Sequence, residues 1–154
     1  MKHLLIVSML LTTLVATALS AAPRGKVRDV LVMEAGKGST AIVLPAKATC
    51  AAQFAALDLQ WHLEKITGEK PEIVLEPAAV AAPVKIAVGA TALGKSLGFP
   101  VDTLKPWEFL VAEKGGTIVL AGGDDPATDA VPSIDALQFV FNGRPNGTCR
   151  AAYE

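Results

Sequence analysis

The amino-acid sequence predicts an α/β domain whose strands form a mixed β-sheet. Short runs rich in branched residues are separated by clusters of Gly, Pro and Asp, which is typical of strands and turns. One long segment with helical periodicity in the first half indicates a helix that packs on the sheet. The chain has 154 residues and 51% hydrophobic content, which is enough to bury one core.

The start of the chain has the pattern of a secretory signal that ends near residue 20. Lys2 precedes an apolar stretch at 4–15, and Ala18 and Ser20 stand at the −3 and −1 positions of a cleavage site. A cut after Ala22 also fits. The alternative is an uncleaved anchor, although the stretch is short for a membrane span. We therefore expect export to the periplasm or the outside of the cell, with no membrane association after cleavage.

Six strands, one long helix and one short helix are predicted between residues 27 and 121. Gly68 ends the long helix as a C-cap, and the sequence EKGG at 113–116 forms the turn of a β-hairpin. In chain order the elements are strands at 27–33 and 39–45, the long helix at 48–67, strands at 70–76 and 84–89, a short helix at 90–98, and paired strands at 107–112 and 117–121.

The region 122–146 carries few secondary-structure signals. A loop of this length is unusual in a compact domain, and its segment 134–141 is predicted to add a short helix or a strand. Gly147 and Thr148 then begin a last helix, which the sequence follows only to Glu154. We expect the chain to be a truncated gene product or a fragment, interrupted in this helix.

The long helix has two apolar faces. The face predicted to lie on the sheet is rich in small residues and consists of Ala52, Ala55, Ala56, Leu59, Leu63 and Ile66. The opposite side carries a ridge of Phe54, Leu57 and Trp61 at i, i+3, i+7 spacing. Either the loop at 122–146 folds over this ridge, or the ridge is an interdomain or intersubunit contact, because exposed apolar patches mark contacts.

Two cysteines, Cys50 and Cys149, each stand at the start of a predicted helix. Export permits a disulfide between them if the two helices pack side by side. The alternative is two separate buried thiols, because a bond requires Cα atoms within about 7 Å of each other.

Few residues suit catalysis or metal binding. His3 leaves with the signal, so His62 is the single histidine that remains, and a two-histidine zinc site is excluded. No Gly-x-Ser-x-Gly elbow is present. The sequence GGDDP at 122–126 offers two carboxylates to a calcium ion, but turn chemistry explains it without a ligand. We assign no catalytic residue, no metal ligand and no cofactor.

Charge and aromatic content narrow the class of partner. The net charge is −1 and no basic block is present, which excludes nucleic acid as a partner. Trp61, Trp107 and Phe109 are candidates for stacking on sugar rings. Trp107 and Phe109 are also predicted to share one strand face, as core residues do.

Several short motifs occur together in an order that resembles a known domain. They are AAQFAALDLQWHLEKITGEKPEIV over the long helix and the following strand, then KIAVG, LAGGDD and NGTCRAAYE. Over residues 28–154 this order resembles the N-terminal domain that precedes the catalytic barrel in family 20 β-hexosaminidases and in α-glucuronidases. It is most similar to the version in large exported bacterial proteins of glycosidase-like type.

This resemblance implies a fold and a role. The fold is a mixed sheet with two helices on one face, similar in shape to zinc proteases but without their metal site. The role is that of a non-catalytic accessory domain, at residues 24–154, because the catalytic Asp-Glu pair of the hexosaminidases lies in the barrel and has no counterpart here. The expected partner is a catalytic barrel domain or another protein. The rival interpretations are a free-standing module that binds a polysaccharide or a protein, and an independent hydrolase.

Overall fold

The protein, in a computed structural model, is described at residues 32–33, 40–135 and 143–154. The predicted signal at 1–20 lies outside the described residues, as do 27–31 of the first predicted strand and 136–141 of the predicted element at 134–141. The described strands are β1 Thr40–Leu44, β2 Glu72–Leu75, β3 Val84–Val88, β4 Phe109–Lys114 and β5 Thr117–Gly122, and the helices are α1 Cys50–Thr67, α2 Ala92–Ser96 and α3 Gly147–Tyr153.

The predicted α/β class is confirmed. Among the described residues, five strands form one mixed sheet in the order β2-β1-β3-β5-β4. Strands β2, β1, β3 and β5 run parallel, and β4 pairs antiparallel with β5 in the predicted hairpin. The ends of these elements differ from the predicted ones by at most two residues. Within residues 40–135 and 143–154 the sheet therefore ends at β2 on one side and at β4 on the other.

Local signals explain where α1 begins and ends. The Thr49 hydroxyl accepts a hydrogen bond from the Ala52 N–H at 3.1 Å, which is the usual N-cap interaction. At the other end, Gly68 has φ 78°, and its N–H donates to the Glu64 carbonyl at 2.8 Å. Helix α2 begins in a similar way, because the Thr91 hydroxyl accepts from the Gly94 N–H.

Alternation along the strands divides the core between the two faces of the sheet. One cluster joins α1 to the sheet residues Ile42, Leu44, Ile86, Val88 and Leu120, and it also contains Cys149 and Ala151 of α3. The other cluster contains Ala87, Val119 and Ala121 of the sheet, with Leu93 and Leu97 around α2 packed against it. Helices α1 and α3 thus share one face, as predicted, and α2 lies on the other. The zinc-protease-like shape stays a prediction.

Gly122 and Gly147 allow α3 to approach the end of β5 and the start of β4, and Gly123 allows the segment before β4 to approach β5. A Cβ atom on Gly122 would lie 2.0 Å from the carbonyl carbon of Gly147, and one on Gly147 would lie 2.2 Å from the Glu108 carbonyl oxygen. A Cβ atom on Gly123 would lie 1.8 Å from the Lys105 carbonyl oxygen. No side chain fits at such distances, so backbone-to-backbone contact fixes where α3 begins.

Candidate functional site

The ridge predicted on α1 is divided by the fold, and its first member is not a surface contact. Phe54 is only 2% exposed and belongs to the core cluster, together with Val131 from the loop after β5. That loop lies along the first turns of α1. The Cys50 N–H donates to the Ala127 carbonyl at 2.8 Å, and the Val131 N–H donates to Gln53 Oε1 at 3.0 Å. The interpretation of Phe54 as an interdomain contact is therefore wrong, because the loop encloses this part of α1.

The second half of α1 is more open than its first half. Leu57 is half-buried and Trp61 is 41% exposed, so Trp61 remains an accessible member of the predicted ridge. The Lys65 ammonium lies 5.6 Å from the centre of the Trp61 ring, and His62 packs edge-on against it. Ile66, predicted to face the core, is exposed. The fully buried residues of α1 end at Ala56, and Leu59 and Leu63 continue the contact with the core as half-buried residues.

Both cysteines are buried free thiols in the structure, and the disulfide that export permits is not formed. The thiol of Cys149 donates to the Ala51 carbonyl at 3.2 Å, whereas the thiol of Cys50 donates to the Asp129 carbonyl at 3.4 Å. Burial, together with the charges of Asp124 and Asp58, raises the pKa of the Cys149 thiol to about 12. Such a thiol is a packing residue and a poor nucleophile.

The first carboxylate of the GGDDP sequence joins the starts of α1 and α3. Asp124 accepts a hydrogen bond from the Thr148 N–H at 2.8 Å and from the Thr148 hydroxyl at 2.7 Å. It also accepts from the Thr49 hydroxyl at 2.8 Å, and Thr49 is the N-cap of α1. Burial raises the pKa of Asp124, and the bonds from the two threonines act in the opposite direction. Asp124 is therefore a structural link between two helices.

The second carboxylate forms a local turn. Asp125 Oδ1 accepts from the Ala127 N–H at 3.0 Å and lies 3.6 Å from the Arg144 guanidinium. A local turn thus accounts for Asp125, as the sequence favoured, whereas Asp124 makes long-range hydrogen bonds with Thr49 and Thr148. In the described part of the chain, no three His, Cys, Asp or Glu side chains lie together as a metal site would require.

The best candidate for an interaction surface lies where the short helix α3 leaves the β4 edge uncovered. We call it the β4–α3 face, and it consists of Trp107, Phe109, Val111, Arg150 and Tyr153. Val111 lies opposite Leu120 of β5 and so faces the α3 side of the sheet, yet it is 47% exposed. Phe109, two residues earlier on the same side, is also exposed. The prediction that Trp107 and Phe109 pack as core residues of one strand is wrong, because Trp107 precedes the strand and both rings are exposed.

An aromatic and cationic cavity of about 230 Å³ opens on this face. Its lining includes Trp107, Arg150 and Tyr153, and the Arg150 guanidinium lies 5.5 Å from the centre of the Trp107 ring. Trp107 has φ 71°, which is rare for a bulky residue. Its N–H donates to the Gly123 carbonyl at 3.1 Å, which holds this unfavourable backbone in place. Strained backbone of this kind occurs often at functional sites.

Tyr153 connects this face to α1. Partial burial and the nearby charge of Asp58 on α1 raise the pKa of the Tyr153 phenol to about 12. Asp58 in turn lies 3.7 Å from the His62 ring nitrogen. The phenol is therefore protonated at any ordinary pH and shares a hydrogen bond with the Asp58 side chain, so the ring offers the surface an apolar face.

Sequence reasoning missed three of the five residues of the β4–α3 face. Arg150 and Tyr153 were visible only as the start of a helix, and Val111 only as part of a hairpin strand. The alternation of Phe109 and Val111 with Leu110 and Ala112 was the available signal. It could not show which side of the strand would be left open, because that depends on how α3 crosses the sheet.

No helix of the described residues is both long and apolar enough to cross a membrane. No protein-family model matches the chain, and the comparisons found no similar curated protein and no similar solved structure.

Proposed function

We propose that this chain is a non-catalytic accessory domain of an exported carbohydrate-active protein. In this proposal the β4–α3 face packs against a catalytic barrel domain. The carbohydrate context and the barrel come from the family resemblance of the sequence. The docking surface comes from one observation, the apolar and aromatic side chains left exposed along β4 and α3.

The composition of this face supports a protein contact. Trp, Tyr and Arg are enriched among the residues that contribute most to binding at interfaces, and all three occur here beside Phe109 and Val111. The side chains of Phe109 and Val111 stand on the regular backbone of β4, and the hydrogen bonds around Trp107 hold its loop. A preformed surface binds with a smaller entropy loss than a flexible one.

A capture experiment tests the docking role. The purified chain is immobilised and exposed to the exported proteins of its source organism, and retained proteins are identified by mass spectrometry. We expect a protein with a glycosidase barrel to be retained, and we expect Val111→Asp to abolish its retention. The matched control is Leu75→Asp, because Leu75 is similarly exposed at the opposite edge of the sheet. Retention of no such protein, or equal retention by Val111→Asp, would reject the proposal.

The second candidate function is a free-standing module that binds a polysaccharide. The observation that favours it is the cavity between Trp107, Arg150 and Tyr153, because an exposed aromatic ring beside hydrogen-bond donors suits a sugar ring. Affinity electrophoresis in gels that contain soluble polysaccharides tests it. Under this alternative, one polysaccharide retards the wild type and the Trp61→Ala control, whereas Trp107→Ala migrates freely. Unretarded migration of the wild type in every gel removes this candidate.

A further inference from the structure

A second apolar opening lies at the other edge of the same sheet face. It is a cleft of about 370 Å³ at the carboxyl ends of the neighbouring parallel strands β1 and β2. The sheet contributes Leu44, Ile73 and Leu75, α1 contributes Leu57, and the loop after β5 contributes Val131. The volume lies within the range of small-molecule sites.

The cleft exists because α1 does not reach across β2. Ile73 and Leu75 lie beside Ile42 and Leu44 of β1, so they face the α1 side of the sheet. Their partners on β1 are buried, whereas Ile73 is half-buried and Leu75 is 53% exposed. Leu57 of α1 is half-buried as well. An aliphatic floor is thus left open to a ligand.

The outer wall of the cleft is held in place before any ligand binds. The Gln53 amide donates to the Asp129 carbonyl at 3.1 Å and to the Ala48 carbonyl at 3.0 Å, and its oxygen accepts from the Val131 N–H. The Cys50 N–H fixes the Ala127 carbonyl. These bonds join the loop to the first turn of α1, so the cleft is preformed and a ligand need not order it.

One charged side chain, that of Lys47, lines the cleft, and the exposed Asp129 lies next to the lining residues Thr128 and Ala130. Lys47 is exposed and is the basic residue of the lining, which contains no acidic residue. Lys47 takes part in none of the ion pairs found within residues 40–135 and 143–154. An anionic group at this rim gains a charge-assisted contact, whereas the floor favours an apolar chain.

We propose that this cleft binds an aliphatic carboxylate. The hydrocarbon tail of the ligand lies between α1 and β2, and its carboxylate contacts Lys47. The aliphatic floor selects a chain rather than a sugar, because it presents few hydrogen-bonding groups to a ligand with many hydroxyls. The cleft and the β4–α3 face lie at opposite edges of the sheet. The proposal therefore goes beyond the docking role and does not depend on it.

Titration of the full chain with decanoate, below its micelle concentration, tests the site. Calorimetry measures the affinity, and methyl NMR spectra locate the ligand. We expect saturable binding with the largest shifts at the methyl groups of Leu57, Ile73, Leu75 and Val131. The absence of saturable binding, or shifts spread over the whole surface, would overturn the proposal.

Two variants distinguish the contribution of the ligand's aliphatic tail from that of its carboxylate. Lys47→Gln should weaken decanoate binding by about fivefold, the size of a partly exposed charge contact, and leave decanol binding within about twofold. Leu75→Asp should abolish binding of both ligands, and the matched variant Val111→Asp should leave both unchanged. Equal loss of decanoate and decanol in Lys47→Gln, or no loss of decanoate, would show that the charge assignment is wrong.

A further variant covers the case in which Leu75→Asp does not fold. Ala130 lines the cleft from the loop and is exposed, so Ala130→Phe fills the opening without altering the sheet. Its far-ultraviolet circular dichroism should match that of the wild type, while decanoate binding falls by at least about tenfold, as expected for a blocked pocket. Full binding by a folded Ala130→Phe chain would place the ligand elsewhere and overturn the proposal.

Discussion

The two edges of the sheet differ in what surrounds the exposed side chain at each edge. On the face that carries α1, a row runs through Leu75, Leu44, Val88, Leu120 and Val111, one residue from each strand. The middle three are buried and the two ends are exposed. At the β2 edge a hydrogen-bonded loop adds a wall and forms a cleft, whereas at the β4 edge the short helix α3 leaves a broader aromatic face.

This difference shows that exposure alone does not determine what binds. Leu75 and Val111 are exposed to a similar degree, yet one lies on the floor of an aliphatic cleft and the other stands beside Phe109 on an open strand. A concave site with a pinned wall suits a small ligand, because it surrounds most of that ligand's surface. A broad face with exposed aromatic rings suits a protein surface.

The largest expected effect comes from disturbing the contact that places α3 at the β4 edge. Gly122→Ala puts a Cβ atom 2.0 Å from the Gly147 backbone, so α3 must move away. We expect a loss of about 3 kcal/mol or more in the free energy of unfolding, measured in urea. Amide exchange should accelerate in β5 and α3 more than in β1 and β2, because the substitution destabilises the structure near β4 and not near β2.

Gly98→Ala is the matched control for this prediction. Gly98 has φ 91°, and nothing lies within 4 Å of an added Cβ atom, so only backbone strain of about 1–2 kcal/mol is expected. Equal losses for the two variants would mean that the backbone approach at Gly122 does not position α3. Uniform acceleration of exchange across all strands would show that the two edges do not respond separately.

How much of the fold and of the candidate site could be predicted from the sequence depends on whether each feature arises from neighbouring residues. The end of α1 was predicted correctly, because Gly68 lies beside the helix that it caps, whereas the start was placed two residues before Cys50. The burial of Phe54 under the loop was one of two alternatives and could not be decided, because the contact between Gln53 and Val131 joins residues more than seventy positions apart. The open β4 edge was likewise hidden, because neither strand order nor the crossing of α3 can be read from the alternation in one strand.

A second prediction concerns Asp124, which holds the starts of both helices. Its pKa in the folded chain is raised above the ordinary value of 3.8 by burial. The stability that this group contributes is therefore fully present below about pH 3.8 and is lost as the pH rises through the folded pKa. Asn cannot titrate, so the difference in unfolding free energy, wild type minus Asp124→Asn, should decrease between pH 3 and pH 7.

Thr148→Val sharpens this test. The Thr148 hydroxyl donates to Asp124 and lowers its pKa, so its removal should raise that pKa further and extend the decrease to higher pH. Urea unfolding at several pH values provides the free energies. A difference that increases with pH would contradict the raised pKa, and an unchanged profile for Thr148→Val would show that its hydroxyl does not stabilise the carboxylate.

The smallest expected effect concerns the reactivity of the two thiols, which belong to one core cluster beneath the neighbouring starts of α1 and α3. Cys149 on α3 is 1% exposed, and its pKa of about 12 leaves almost no thiolate at pH 8. Cys50 lies under the loop that forms the cleft wall. We expect neither thiol to react with iodoacetamide in the native chain, and both to react in denaturant without any reductant.

The single variants Cys50→Ala and Cys149→Ala assign the labelled positions, because each leaves one thiol. If denaturant alone exposes no reactive thiol and reductant then releases two, the cysteines form a disulfide. That bond would join α1 to α3 covalently. If one thiol labels in the native chain, its position identifies which helix start, that of α1 or that of α3, opens first. Rapid labelling of Cys149 would mean that α3 leaves the β4 edge without global unfolding, and the β4–α3 face would then not be preformed.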